Sequence, residues 1–477
     1  MTTFFIIAFA FFVQFTNKAG SSHIALSEVA IEKRIKRGIA IDSLDYAVSA
    51  MYIDSLKTAG CHVYHCSRWM NGATIEADSA TIMRIADWAF VDSIYLTRTQ
   101  NHSFDIPSIS LRKRELLDLP SKALQKATLN ELRSTAQIEQ LHLHLLHNAG
   151  FKGQGITMCV IDGGFQHADI LEAFAAARDS GRLLGIYDTT DDIDDVTGPT
   201  GAHGVKCFSA IAATTDNYEG AATAAQYYLI RSEEYYTESP KEMDNWVVAI
   251  ELADSLGVDI VSSSLGYAMF DEESFTLSYA DIDGQSTRCT QAANIATEKG
   301  MLVVVAAGNE GNNTWHYIST PADALNTLTV GAVNVQDSIA KFSSWGPTFD
   351  GRVKPEVCAT GNQTALINPL DNSVVHSSGT SFACPIIAGM AACLWSALPH
   401  ATNLEIRERI IQSADRYTHP HDQYGYGIPN AWTAYQHATD VPNNHTRGEF
   451  TRKILIHGQL WILHNGLLYN VMGQKKG

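Results

Sequence analysis

MLVVVAAG, residues 301–308, runs without a polar side chain until Asn309. A strand with one solvated face alternates apolar and polar residues. A run without that alternation belongs to a strand covered on both faces, as in a parallel sheet between two layers of helices. Working outward, GITMCVI (155–161), VDIVSSS (258–264) and LTVGAV (328–333) carry the same near-continuous pattern. Between them WVVAIELADSL (246–256) and CTQAANIATEKG (289–300) have helical spacing, the second closing on Gly300. Strand and helix therefore alternate from about residue 134 to the stretch YGYGIPNAWTAYQHA, which closes the unit near residue 438. The expectation is an α/β fold, a parallel sheet between helices.

The rest of the chain divides around that unit. The apolar run from Phe4 to Phe15, followed by Ala19-Gly20-Ser21, has the length and the small-residue site of a signal peptide over residues 1–21. A buried N-terminal helix is the other reading of the run, and no other segment looks long and apolar enough to span a bilayer. Residues 22–100 alternate short strands and helices and read as a small α+β module. Residues 101–133 are polar, rich in Lys and Arg, and carry two prolines, as a linker with an exposed processing site does. Residues 439–477 begin as a second linker and end in two alternating runs flanking Asn465-Gly466, the signal of a short β-hairpin tail.

Composition excludes some functions. The net charge of −17, with no basic patch, argues against nucleic acid as a partner. Of the eight cysteines, Cys61 and Cys66 are close enough in sequence to bridge, while Cys159, Cys207, Cys384 and Cys393 lie in core-like runs. No Cys or His spacing fits a zinc site, so the expected metal-ligand set is none. YDTTDDIDDVTG (187–198) concentrates five aspartates and suits a structural calcium ion. It lacks the spacing of an EF-hand loop, which favours a solvated acidic loop. No cofactor is required.

Functional groups in open α/β sheets gather at the carboxyl ends of strands. ITMCVI ends in Asp162, MLVVVAAG in Asn309, and His203 and Ser381 stand at the starts of helix-forming runs. A serine hydroxyl is a weak nucleophile and needs a base; a histidine supplies it, and a buried carboxylate fixes the histidine tautomer. A side-chain amide beside a backbone N–H then serves the oxyanion. Each residue alone has a structural reading, as helix start, turn or brace. Four at successive strand ends and helix starts make coincidence the weaker account. The order Asp162, His203, Ser381 differs from that of the α/β-hydrolases and is the one subtilisin uses.

On these residues the chain resembles the subtilisin-like serine proteases, the subtilases. VIDGGF (160–165) is similar to their aspartate motif, HGVKCFSAIAA (203–213) to their histidine motif and SSSLGY (262–267) to their substrate-binding strand. VVVAAGNEGN (303–312) is similar to their oxyanion-asparagine motif, and SSGTSFACPIIAG (377–389) to their serine motif. The resemblance implies a secreted endopeptidase acting through an acyl-enzyme. Ser381 would be nucleophile, His203 base and acid, Asp162 its orienter and Asn309 the oxyanion donor. Ser264, Leu265 and Gly266 would pair with the substrate backbone, and Ala306, Ala307 and Gly308 would line the first specificity pocket. Glu310 beside them bears on side-chain preference. SRWMNGATIEA (67–77) and IADWAFVDSIYL (85–96) resemble the propeptide module of many subtilases, which implies a zymogen whose own N-terminal module is a partner besides the polypeptide substrate. The sequence says nothing of oligomeric state. It departs from the family pattern at Gly163, where Ser or Thr is usual, and at Val205 and Lys206, where the family writes Thr-His. These departures keep open the alternative of a weak or inactive subtilase fold that binds peptides without cutting them.

Overall fold

The computed structural model describes residues 9–99, 134–190 and 195–436, together with three strands between residues 451 and 470. The N-terminal module contains β1 (Phe9–Phe15), α1 (Glu28–Arg37), α2 (Ala50–Thr58), β2 (His62–Ser67), β3 (Gly72–Ala77), α3 (Ser79–Ala86) and β4 (Val91–Arg98). Its strands form an antiparallel sheet in the order β2-β3-β1-β4. One face packs on the module's helices around Val13, Phe15, Leu56, Ile75 and Ile85. From the other side Phe12 joins Trp69 and Met70 in a core shared with the next domain.

This corrects the expected leader. Residues 9–15 are an inner strand of the module, hydrogen-bonded to β3 and β4, so a boundary at residue 21 would strip the sheet of its centre. The physical reason is burial of both faces. Phe12 enters one core and Val13 the other, so the segment lost the alternation of a strand and took on the look of a signal-peptide core. Residues 1–8 lie outside the described part. So does the expected linker, from 101 to 133, with its processing site. The bridge considered between Cys61 and Cys66 is also corrected: all eight cysteines are free, Cys61 packed into the module and Cys66 facing solvent.

The main domain holds β5 (Thr157–Asp162), β6 (Leu183–Asp188), a small ribbon of β7 (Thr214–Thr215) and β8 (Tyr218–Glu219), then β9 (Gln226–Arg231), β10 (Ile260–Ser263), β11 (Leu302–Ala306), β12 (Leu328–Val333) and β13 (Val357–Thr360). Seven of these make one sheet, ordered β13-β12-β11-β10-β5-β9-β6, with every pairing parallel. The opening run shows why it is apolar throughout: Leu302, Val304 and Ala306 point into one core, and Val303, Val305 and Ala307 into the other. The first core is roofed by helices Ala202–Ala212 and Thr380–Ala397, the second by Pro240–Leu256 and Arg288–Glu298. Helix Pro240–Leu256 begins on a proline and stops at Gly257, whose φ of 77° suits glycine. Helix Thr380–Ala397 is by length and composition apolar enough to cross a membrane, against the sequence expectation, and 89% of that window is buried in the fold.

A short hairpin, β14 (Thr364–Ile367) and β15 (Val374–Ser377), leads into that helix. The tail is a three-stranded meander, β16 (Thr451–Ile456), β17 (Gln459–His464) and β18 (Leu467–Asn470). The expected hairpin is β17–β18, closed by the pair His464 and Leu467, and β16 extends it by one strand.

Candidate active site

β5 lies where the sheet's connections change direction, with β9 on one side and β10 on the other. Its last residue, Asp162, is fully buried, and its Oδ1 lies 2.7 Å from His203 Nδ1 and accepts from Gly163 N–H at 2.7 Å. The other oxygen, Oδ2, is buried without a hydrogen-bond partner. His203 sits in the first turn of helix Ala202–Ala212 and is partly exposed. That helix can approach β5 only because residue 204 is glycine: a Cβ there would lie 2.2 Å from Gly164 O and 2.9 Å from Asp162 Cβ.

Ser381 is the second residue of helix Thr380–Ala397, which starts after Gly379. Four residues on stands Pro385, which has no N–H to return to the Ser381 carbonyl. That freed carbonyl is satisfied from outside the helix, by Ser264 Oγ at 2.7 Å and Cys207 Sγ at 3.3 Å. One missing helix bond thus ties the serine turn to the end of β10 and to the histidine helix. Burial holds the Cys207 thiol well above its ordinary pKa, so it stays a neutral donor; the nearby Asp162 carboxylate acts in the same direction. The Ser381 hydroxyl donates to Ser264 O at 3.4 Å, and among the described residues no hydrogen bond joins it to His203. The Phe382 ring lies beside the imidazole, 5.7 Å between centroids.

Asn309 follows β11. Its side-chain carbonyl accepts from Thr380 N–H at 2.9 Å and from Thr380 Oγ1 at 3.1 Å. With the oxygen fixed in this way, the amide group is left as a donor next to the serine turn. Ser264, Leu265 and Gly266 continue from β10, whereas Ala306 and Ala307 send their side chains into the two cores. Any wall those two alanines give a pocket is backbone. A Cβ on Gly266 would fall 2.3 Å from Ser319 Oγ, and one on Gly308, at φ 107°, 3.3 Å from the same atom. Ser319 Oγ therefore stands between Gly266 and Gly308, with Ser344 Oγ also beside Gly308, 2.9 Å from where its Cβ would lie. Sequence reading missed Ser319, since no pattern marks a lone serine in a loop. It also missed Thr380 and Cys207. Pro385 was legible in principle, because a proline inside a helical run predicts an unpaired carbonyl four residues earlier.

The structure thus brings together Asp162, His203, Ser264, Asn309 and Ser381 at one edge of the sheet. Val205 is buried in the core and Lys206 is half-buried with a partner of its own. Three of the five aspartates at 187–198 lie outside the described residues.

A family model described as the Subtilase family matches residues 153–427, more than half of the chain. The chain belongs to the subtilase family. A second model, a Peptidase S8 propeptide domain of Bacteroidota, matches residues 10–111, which places a subtilase propeptide domain over the N-terminal sheet, β1 included. Among similar subtilases, Thermophilic serine proteinase of Bacillus sp. (strain AK1) is 31% identical over 60% of this chain and 62% of its own length, just under two thirds. Thermitase of Thermoactinomyces vulgaris is 29% identical over 60% of this chain and 90% of its own. Subtilisin E of Bacillus subtilis (strain 168) is 28% identical over 63% and 70%.

Proposed function

We propose that this subtilase is a serine endopeptidase made as a zymogen, with Ser381 as nucleophile, His203 as general base and acid, Asp162 as its orienter and Asn309 as oxyanion donor. The observation that carries the reading is the 2.7 Å contact between the buried Asp162 carboxylate and His203 Nδ1. A carboxylate there keeps the proton on Nδ1 and leaves Nε2 basic. Substrate entry would turn the Ser381 hydroxyl from Ser264 O to Nε2, a rearrangement common when a resting site engages substrate. Attack on the scissile carbonyl moves the hydroxyl proton to Nε2 and places the negative oxygen against the Asn309 amide. Collapse of the tetrahedral species returns that proton to the leaving amine; water repeats the sequence on the acyl-enzyme. The serine at residue 319 would narrow the first specificity pocket toward small or polar side chains.

The second reading, a weak or inactive peptide-binding fold, is favoured by the Ser381 hydroxyl facing Ser264 O and by the unpartnered Asp162 Oδ2. One experiment separates them. The processed protein is treated with a fluorophosphonate and assayed on peptides, beside Ser381→Ala. Labelling at Ser381, with loss of about 10⁶-fold activity in the variant, is expected, the size being that known for subtilisin. No labelling of a folded, processed protein would support the binding module. Export to the cell surface or medium is proposed with the protease reading, because a protease carrying its own inhibitory module is suited to release away from its site of synthesis; fractionation of the producing cells tests it.

A further inference from the structure

The chain between β1 and α2, residues 16–49, holds the module to the main domain at a place far from the active site. Within it α1 is capped by Ser27 and ended by Gly38, with Lys33, Arg34 and Arg37 on the side that meets the main domain. Lys33 Nζ donates to Gly257 O and to Asp259 Oδ2, both at 2.7 Å. Arg37 reaches Asp259 Oδ1 at 2.5 Å and Gly300 O at 3.0 Å, and its guanidinium lies over Trp395, 5.0 Å from the ring centre. Arg34 grips both oxygens of Asp254 at 2.7 Å, and Arg68 of the same module reaches Asp254 at 2.7 Å. The backbone joins in, with Ser27 N–H on Ser255 O at 2.8 Å. The acceptors Asp254, Ser255 O, Gly257 O and Asp259 lie at or just past the end of helix Pro240–Leu256, and Gly300 O lies just past the end of helix Arg288–Glu298, places where the helix dipole favours cations.

They are also at the wrong edge of the sheet for catalysis. Asp259 precedes β10 and receives Thr157 N–H at the start of β5; Gly300 precedes β11. Asp162 lies at the other end of β5, about 17 Å away at the rise of a parallel strand. The module's sheet adds contacts one turn back on the same helix, where Ser67 Oγ, Arg68 N–H and Trp69 N–H donate to Glu251, and Asp254 is shared by Arg34 and Arg68.

We propose that residues 16–49 form a charged clamp, a docking surface added to that of the sheet and far from the catalytic groups, with Lys33, Arg34 and Arg37 on the edge made by Asp254, Gly257, Asp259 and Gly300, and Asp42 and Asp45 on Lys299. The inference rests on the zymogen reading for its purpose, and its binding claim stands apart from catalysis. The Lys33 and Arg37 pairs with Asp259 are partly exposed on their basic side, which makes retention of the cut module sensitive to ionic strength, whereas the Arg34–Asp254 pair is buried.

The test uses the full chain carrying Ser381→Ala, with a recognition sequence for a site-specific protease placed within 101–133. After cutting, module dissociation is followed by gel filtration and by surface-immobilised kinetics from 0.05 to 0.5 M NaCl, values chosen to span the screening range. Lys33→Ala with Arg37→Ala is expected to leave at least about tenfold faster near 0.1 M salt and with a shallower salt dependence. Asp259→Asn, which keeps an acceptor for Thr157 N–H, should do the same. Lys33→Glu with Arg37→Glu should be worse, and adding Asp259→Lys should restore much of the retention. Thermal unfolding of the uncut chains checks that each variant folds, and Lys33→Gln with Arg37→Gln replaces any that does not. Wild-type dissociation rates and salt slopes in the neutralised variants, or no rescue by the reversed pair, would overturn the clamp. Absence of fluorophosphonate labelling would overturn the protease reading and leave these rates untouched.

Discussion

At Asn309 the side-chain oxygen is occupied twice, by Thr380 N–H and the Thr380 hydroxyl, so the amide has one orientation left to it. Its role in the proposed reaction can be tested apart from the triad. Asn309→Leu removes the donor and should lower kcat by about 10²–10³-fold with KM nearly unchanged, the range known for the corresponding subtilisin residue. Thr380→Val keeps the shape and loses the hydroxyl; with the amide less firmly aimed, kcat should fall by about tenfold, less than for removal of the donor itself. Steady-state kinetics with parallel melting curves check both. A fully active Asn309→Gly enzyme would remove Asn309 from the mechanism and leave it a turn residue.

The elements explain why the site exists at all. Gly204 allows the histidine helix to lie against β5, and adding one methyl group would place it 2.2 Å from Gly164 O. Gly204→Ala should therefore push His203 off Asp162, lowering kcat by about two orders of magnitude or more and costing about 1–3 kcal/mol of stability. Kinetics and thermal denaturation read the two effects; an active, equally stable variant would show that the helix has room to spare. The same scale shows what the sequence could tell. β5, β10, β11 and β12 were legible because strands inside a doubly covered sheet stay apolar on both sides, and Asp162 and Asn309 were legible as the first polar residues past them. β1 was misread for the same reason: Phe12 and Val13 are both buried, and an apolar run of that length fits a leader equally well. Ser319, Thr380 and Cys207 were not legible, because their roles come from neighbours 50 or more residues away in sequence: Ser319 from Gly266, Thr380 from Asn309, and Cys207 from Ser381.

Over the whole molecule, module and catalytic domain share a core and a line of charges. Glu251 is covered by the module and takes three donors from it, yet burial is the larger influence and raises its carboxyl above the ordinary range. The sign follows. A carboxyl whose pKa is raised on docking takes up a proton as the module binds. Its contribution to docking is full below the ordinary glutamic acid pKa and is lost as pH rises through the raised value. Asp244, which accepts from Thr74 of the module, is raised by burial in the same way, while two other interface carboxylates move the opposite way: Lys299 beside Asp42, and Lys241 with Arg98 beside Glu234, lower those two despite burial. The difference between wild type and Glu251→Gln isolates the one group. Module dissociation should slow in the wild type relative to the variant as pH falls toward the carboxylate range; a constant ratio across that range would refute the coupling.

Docking through both the sheet and residues 16–49 has a consequence for concentration. While the chain is continuous, the module is a tethered ligand, and a tether gives it an effective concentration on the order of millimolar, whatever the dilution of the protein. Cutting one peptide bond between residues 99 and 134 changes no contact at either surface and converts the same encounter into a bimolecular one. From then on occupancy depends on how far the protein is diluted, and each surface that holds on shifts the dilution at which the module leaves. Processed enzyme should thus gain specific activity on dilution and uncut chain should not, with activity per molecule measured across several decades of protein concentration. An uncut chain that activates on dilution, or a processed one that never does, would show that inhibition does not follow occupancy of these surfaces.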